Sequence, residues 1–210
     1  AIRACVVIGF LALGFLYSSA MTAWAEKGLY GDDVVHAETT PYQRLVVTRW
    51  HDDLRLYINN NLQFSSRDEH RYHESLVHPG LQTLPWARNV LVLGGGDGLA
   101  VREILKYKNI EHVTLVDLDP AMTGLFSRSE PLVKLNQGSL KDPRVTVIND
   151  DAGRWLETHA EVYDFIVVDF PDPSNFGLGR LYSVPVYHLM ARHLACLLYT
   201  SDAADERSSV

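Results

Sequence analysis

The stretch of residues 90–106 constrains this chain more than any other. Val90-Leu-Val-Leu93 is an unbroken apolar run, as expected of a strand buried on both faces. Gly94-Gly-Gly-Asp-Gly98 follows at once, and residues 99–106 then place Ala100, Val101, Ile104 and Leu105 on one helical face. Strand, glycine turn and helix in this order predict a crossover unit whose backbone can approach a ligand closely at a helix N-terminus. A glycine loop alone is weak evidence for a nucleotide or nucleoside. Asp117 strengthens it, because it ends the next predicted strand, His112-Val-Thr-Leu-Val116. That is about 20 residues past the loop, where an acidic residue hydrogen-bonds ribose hydroxyls. A helix cap at a strand end is the competing explanation for Asp117.

Further strands are expected at residues 144–148 and 165–168, and a last helix at 184–194. Strands alternating with helices imply a parallel, doubly wound sheet. Upstream, residues 42–50, 54–58 and 62–64 are rich in β-branched and aromatic residues, with a turn at Asn59-Asn-Asn61. They predict a small antiparallel β unit, followed by a helix over 67–76 with Ser66 or Asp68 as cap. Residues 4–24 contain no charged residue, His, Asn, Gln or Pro. As a helix they would reach ~31 Å, roughly a bilayer's hydrocarbon thickness, so a transmembrane helix is expected, over a signal peptide or a buried helix.

The expected fold class is therefore α/β: a Rossmann-like (methyltransferase-type) doubly wound sheet, incomplete at its C-terminus. A small antiparallel β unit and an N-terminal transmembrane helix precede it. Residues 1–25 are assigned to the membrane helix (the last of several), 26–85 to the β domain with its helix, and 86–195 to the Rossmann-like catalytic domain. Residues 196–210 resemble the translation of a sequencing-library adapter and are set aside, which would leave the strand at 165–168 an open sheet edge.

The formal net charge of −7 offers no basic patch for phosphates, so no nucleic-acid partner is expected. Cys5 and Cys196 lie outside the predicted catalytic part, which excludes a disulfide framework and a cysteine metal site. His70 and His73 share a helical face with no carboxylate at a matching spacing, and no metal is expected.

Asp97 is the unusual residue of the glycine loop. A carboxylate there would repel a pyrophosphate, which argues against dinucleotides and ATP. A sulfonium nucleoside suits it better. The α-carboxylate of S-adenosylmethionine placed ~4 Å away would cost up to about 4 kcal/mol at an effective dielectric of ~20, whereas the decarboxylated form presents only an ammonium. Asp117, Asp151, Asp169 and Asp172 also fall at predicted strand ends, where ligands of open α/β sheets bind. Carboxylates gathered in one place raise each other's pKa, and a polycation would relieve that strain.

Tyr42-Gln43, Asp68-Glu69, Tyr72-His73-Glu74, Gly94-Gly-Gly-Asp-Gly98, Val116-Asp117-Leu-Asp119, Asp151-Ala152 and Asp169-x-x-Asp172-Pro173 occur in this order, followed by Leu181-Tyr182 and Tyr187. Over residues 36–195 the chain resembles the spermidine synthase (polyamine aminopropyltransferase) family, and its apolar leader resembles the last membrane helix of that family's membrane-bound branch. The resemblance implies transfer of an aminopropyl group from decarboxylated S-adenosylmethionine, as co-substrate, to putrescine or a related polyamine, with no further cofactor. Gln43, Gly94, Gly95, Gly96, Asp117, Asp151 and Ala152 would hold the nucleoside. Tyr72, His73, Asp97 and Asp172 would hold amine groups, and Asp169 would accept the proton. The catalytic loop departs from the family pattern in carrying Phe170 and Pro171 between its two Asp, and Phe176 stands where soluble members have a proline. The resemblance also implies a location at the cell membrane with the catalytic domain in the cytoplasm, and a homodimer is a possible assembly. An S-adenosylmethionine-dependent methyltransferase and a non-catalytic, membrane-tethered polyamine-binding protein remain as alternatives.

Overall fold

The computed structural model describes residues 2–173 and 176–195. The adapter-like tail at 196–210 lies outside the described residues. The chain divides between Arg67 and Asp68 into two compact units.

The first unit opens with helix α1 (Ile2–Tyr30) and continues into an antiparallel sheet of β1 (Asp33–Thr39), β2 (Arg44–Trp50), β3 (Asp53–Ile58) and β4 (Asn61–Ser65), in that order. Leu45, Val46 and Leu56 are fully buried in it. Asn59 and Asn60 join β3 to β4 with φ of 50° and 67°, the left-handed pair that a two-residue hairpin matching the strand twist requires. β1 is an addition to the predicted unit. Its Asp33, His36 and Glu38 hide the apolar alternation that marks a strand, and it pairs with β2 through a register shift between Val34 and His36.

Among the described residues no helix is long and apolar enough to cross a membrane. The expected transmembrane helix over residues 1–25, and the membrane partner and cell-membrane location that rested on it, are corrected accordingly. Run length and flanks were the basis of that expectation, and the run also carries hydroxyl groups. It contains Tyr17, Ser18 and Thr22, and the Ser18 and Thr22 hydroxyls bond back to the carbonyls of Phe15 and Ser18. The helix also continues past the run to Tyr30, whose ring lies 4.6 Å from that of Tyr57.

The second unit is a parallel sheet in the order β7 (Val145–Asn149), β6 (His112–Asp117), β5 (Asn89–Gly94), β8 (Phe165–Asp169). Its helices are α2 (Glu69–Leu81), α3 (Leu99–Ile104), α4 (Pro120–Arg128), α5 (Glu130–Leu135), α6 (Ala152–Thr158), α7 (Phe176–Leu181) and α8 (Val184–Arg192). Helix α2, grouped from sequence with the β domain to residue 85, belongs here. Asp68 is its N-cap residue without a side-chain cap bond. What fixes the helix is burial of Glu69, His73, Val77 and Leu81, and a Gly80 so close to the Phe165 ring of β8 that a Cβ would stand 2.5 Å from it.

The central strand explains its own sequence. Leu91 and Leu93 pack with Val116, Trp155, Leu156, Val186 and Met190, while Val90 and Val92 alternate to the other face and are equally buried. The chain steps outward from β5 to β6 to β7, then returns to place β8 on the opposite side of β5. This reversal brings the loops after β5 and β8 together, in the position where open α/β sheets bind ligands. Gly94 pairs with Asp169 across it.

Gly94 has φ of 81°, and a Cβ there would lie 2.2 Å from the Asp169 carbonyl oxygen. Gly94→Ala is expected to destabilise the fold by about 2 kcal/mol or more, from backbone strain and steric overlap together, read as a lower denaturant midpoint at unchanged slope.

Candidate active site

Each strand end of the parallel sheet delivers an acid or its supporting turn. After β5, the loop of residues 94–98 places Asp97 at the start of α3, where its Oδ1 accepts the Leu99 N–H at 2.9 Å. After β6, Asp117 accepts the Gly96 N–H and the Asp119 N–H, both at 2.9 Å. A Cβ on Gly96 would stand 2.6 Å from the Asp117 carboxyl carbon, so glycine is what lets the loop reach that acid. At the end of β8, Asp169 accepts a hydrogen bond from the Tyr72 hydroxyl at 2.9 Å.

Helix α2 faces this group with His73, which is 3% exposed, and one ring nitrogen of His73 lies within 4.8 Å of carboxylate oxygens of both Asp97 and Asp169. The three residues are 24 and 72 positions apart in sequence (73 to 97, 97 to 169), and together they form a set of donors for a positive charge. Helical spacing gives His73 one carboxylate, Glu69, which the expectation of no partner overlooked; tertiary folding supplies two more, while His70 stays exposed on the same helix.

Burial dominates the electrostatics. It raises the Asp97 pKa, with His73 opposing and Asp117 adding to the shift. Burial, then the Asp97 charge, pushes Asp169 up to about 6 from 3.8, against His73 and the Tyr72 bond. Asp117 is likewise pushed up to about 6 by burial, against its two backbone N–H bonds. The Tyr72 hydroxyl is held well above its ordinary range by desolvation and by Asp169 beside it. For His73, burial disfavours the cation, but the bond to Glu69 and the charges of Asp97 and Asp169 outweigh it and the pKa is raised.

Asp151 and Ala152 begin α6 beyond β7. Asp151 caps that helix by accepting the Arg154 N–H at 2.8 Å and lies 3.6 Å from Arg180. Ala152 is buried. Asp172, three residues past Asp169, is exposed, so the structure does not bury it with the other acids. Gln43 belongs to the first unit, where its N–H donates to Thr40 Oγ1 at 3.0 Å.

Two supports were not assigned a role from sequence. Tyr182 donates to the carbonyls of Phe170 and Pro171 at 3.1 and 3.0 Å, which fixes the loop after Asp169 although Phe170 and Pro171 depart from the family pattern. Glu69 binds His73 through Oε2 at 2.8 Å, and the only hint in the chain is the four-residue spacing of the two.

The profile of the spermine/spermidine synthase domain matches residues 69–196. The chain belongs to that family. Among this family's members, polyamine aminopropyltransferase 2 of Ralstonia nicotianae is 64% identical over 193 residues, covering 92% of this chain and 38% of the relative. The polyamine aminopropyltransferase of Leptospira interrogans is 56% identical over 189 residues, covering 90% of this chain and 38% of its own. The chain thus spans less than two-fifths of the length of these relatives. A solved spermidine synthase in complex with the transition-state analogue AdoDATO superimposes with a TM-score of 0.71 at 24% identity, over 77% of this chain and 55% of that one. The spermidine synthase of Thermotoga maritima gives 0.69 at 23% identity, over 77% and 54%. The spermidine synthase fold, with its parallel and antiparallel sheets, is therefore the fold of this chain.

The raised acids have a stability consequence. An acid whose native pKa lies above its unfolded value binds more protons when folded. Its contribution favours the native state below the unfolded pKa and is lost as pH rises through about 6. Asp169→Asn should therefore stabilise the unliganded protein at pH 7 by about 1–3 kcal/mol, a gain that vanishes near pH 4 in parallel thermal melts.

Proposed function

We propose that the protein transfers an aminopropyl group from decarboxylated S-adenosylmethionine to putrescine or a related polyamine, releasing methylthioadenosine. The observation that carries this is the pair of buried Asp97 and half-buried Asp169 with His73 beside it, at the strand ends where a nucleoside would lie. Two carboxylates within 4.8 Å of each other, one buried and one half-buried, repel by about 3–4 kcal/mol at an effective dielectric of ~20 when both are charged. An ammonium group between them removes that cost. A carboxylate-bearing ligand would add to it, which sets the decarboxylated nucleoside apart from S-adenosylmethionine itself.

In this scheme Gly94, Gly95 and Gly96 let the backbone meet the nucleoside, with Asp117 at the ribose and Asp151 and Ala152 at the base. Gln43 is included on the family resemblance alone. Tyr72, His73, Asp97 and Asp172 hold amine groups. The acceptor's ammonium, with a pKa near ~10 like lysine, must lose a proton before it can attack. Asp169 takes that proton as the nitrogen lone pair forms a bond to the methylene carbon next to sulfur. The carbon–sulfur bond breaks with its electron pair going to sulfur, and the sulfonium becomes the neutral thioether of methylthioadenosine. Tyr72, by donating to Oδ1 of Asp169, leaves the second carboxylate oxygen for the proton.

Methylthioadenosine release from decarboxylated S-adenosylmethionine and putrescine, followed by chromatography, tests the assignment. Methyl transfer from intact S-adenosylmethionine, or amine binding without turnover, would replace it. Asp169→Asn should lower kcat by about 10²–10⁴ with amine affinity largely kept, because the base is lost while the site's shape is not. Because free Asp169 must be unprotonated to act, kcat/KM should rise with pH through an apparent pKa of about 6.

A further inference from the structure

His73 does not stand alone on its helix. Its Nδ1 lies 2.8 Å from both the backbone oxygen and Oε2 of Glu69. Glu69 is in turn held by the Arg102 guanidinium through two bonds, Nη1 to Oε1 at 2.7 Å and Nη2 to Oε2 at 3.0 Å. Arg102 is anchored in its own right, by Glu103 Oε1 at 2.9 Å and by the Leu135 carbonyl at 3.0 Å. Glu69, His73, Arg102 and Glu103 are all buried, so the assembly costs desolvation that no exposed function requires. Both Glu69 oxygens at Nδ1 are acceptors, and Nδ1 must therefore carry hydrogen. Nε2 is the ring nitrogen that Glu69 does not engage.

We propose that Glu69, clamped by Arg102, is a positioning residue that fixes His73 as an Nδ1–H donor, and that His73 serves as the resident countercation of Asp97 and Asp169, surrendering its Nε2 proton to solvent when a substrate ammonium takes its place. The second half rests on the aminopropyl-transfer assignment; the first does not. Among the described residues, the titratable groups facing His73 are Glu69 and Tyr72 on its own helix, Asp97 from the loop after β5 and Asp169 from β8, with Arg102 behind Glu69. Three of the five are carboxylates. An arriving ammonium has the same charge as the imidazolium, and two cations beside one acid pair repel. Losing the imidazole proton keeps the net charge of the site constant across binding. It also turns Nε2 from a donor into an acceptor for an ammonium N–H, without rotation of the ring.

The test is nitrogen-15 NMR of histidine-labelled protein, assigned with His73→Gln, titrated from pH 5 to 9 with and without saturating putrescine plus methylthioadenosine. The unliganded wild type should show His73 titrating above the ordinary histidine value, with the neutral ring protonated at Nδ1. Glu69→Gln, which keeps an oxygen but removes the charge, should lower that midpoint by about one unit or more. Bound amine should leave His73 neutral at pH 7 with Nδ1 still protonated. A neutral ring protonated at Nε2, seen in the wild type alone, would overturn the positioning role whatever the variant does. A His73 that remains cationic with amine bound would overturn the countercation role. If putrescine produces no shift anywhere in the protein, the countercation role falls with the aminopropyl-transfer assignment, while the wild-type ring state still decides for or against Glu69.

Discussion

Two carboxylates brought within 4.8 Å of each other, Asp97 from the loop after β5 and Asp169 from the end of the neighbouring β8, set the terms for the rest of this structure. Asp97 and Asp169 cannot both be comfortably charged where they sit, and burial raises both pKa values in consequence. A stable domain would ordinarily separate them or pair each with a cation. Here the His73 imidazole lies within 4.8 Å of both, whereas Arg102 and Lys106 are committed to Glu69 and Glu103. The strain is local and the surrounding fold holds it in place, as expected where a site is shaped for a charged ligand.

Holding that arrangement requires the topology of the sheet. Because β8 returns to the far side of β5, the glycine loop and Asp169 meet without any connecting segment between them. The approach is so close that Gly94 and Gly96 have no room for a Cβ, against the Asp169 backbone and the Asp117 carboxylate respectively. Helix α2 then brings Tyr72 and His73 to the same acids, and its buried Glu69 ties it to Arg102 of α3. The ion cluster that orients His73 thus also docks α2, which explains why a polar helix start is buried at all.

Much of the second unit was legible in the chain. Strands β5 to β8 were each anticipated to within one residue, because they are short runs rich in β-branched and apolar residues bounded by polar breaks. The helices α4, α5, α6 and α7 escaped, being six to nine residues long with too few turns to show a period. Helix α2 ran five residues past its expected end, through Pro79 and Gly80, because packing of Val77 and Leu81 in the interior outweighs their poor propensity. The apolar leader misled in the opposite way: composition marked it as a helix averse to water, and composition cannot say what surrounds it.

The sequence by itself determined the order of strands β2 to β8, the glycine loop and the acids near the strand ends, since these follow from local periodicity and residue chemistry. Only the tertiary structure decided which acids meet. It joined Asp97, Asp169 and His73, left Asp172 exposed, and recruited Arg102 behind Glu69 and the histidine. The physical reason is range. Backbone propensity acts over a few residues, whereas the field at a buried carboxylate is set by whatever charge the fold brings within a few ångströms, however distant in the chain.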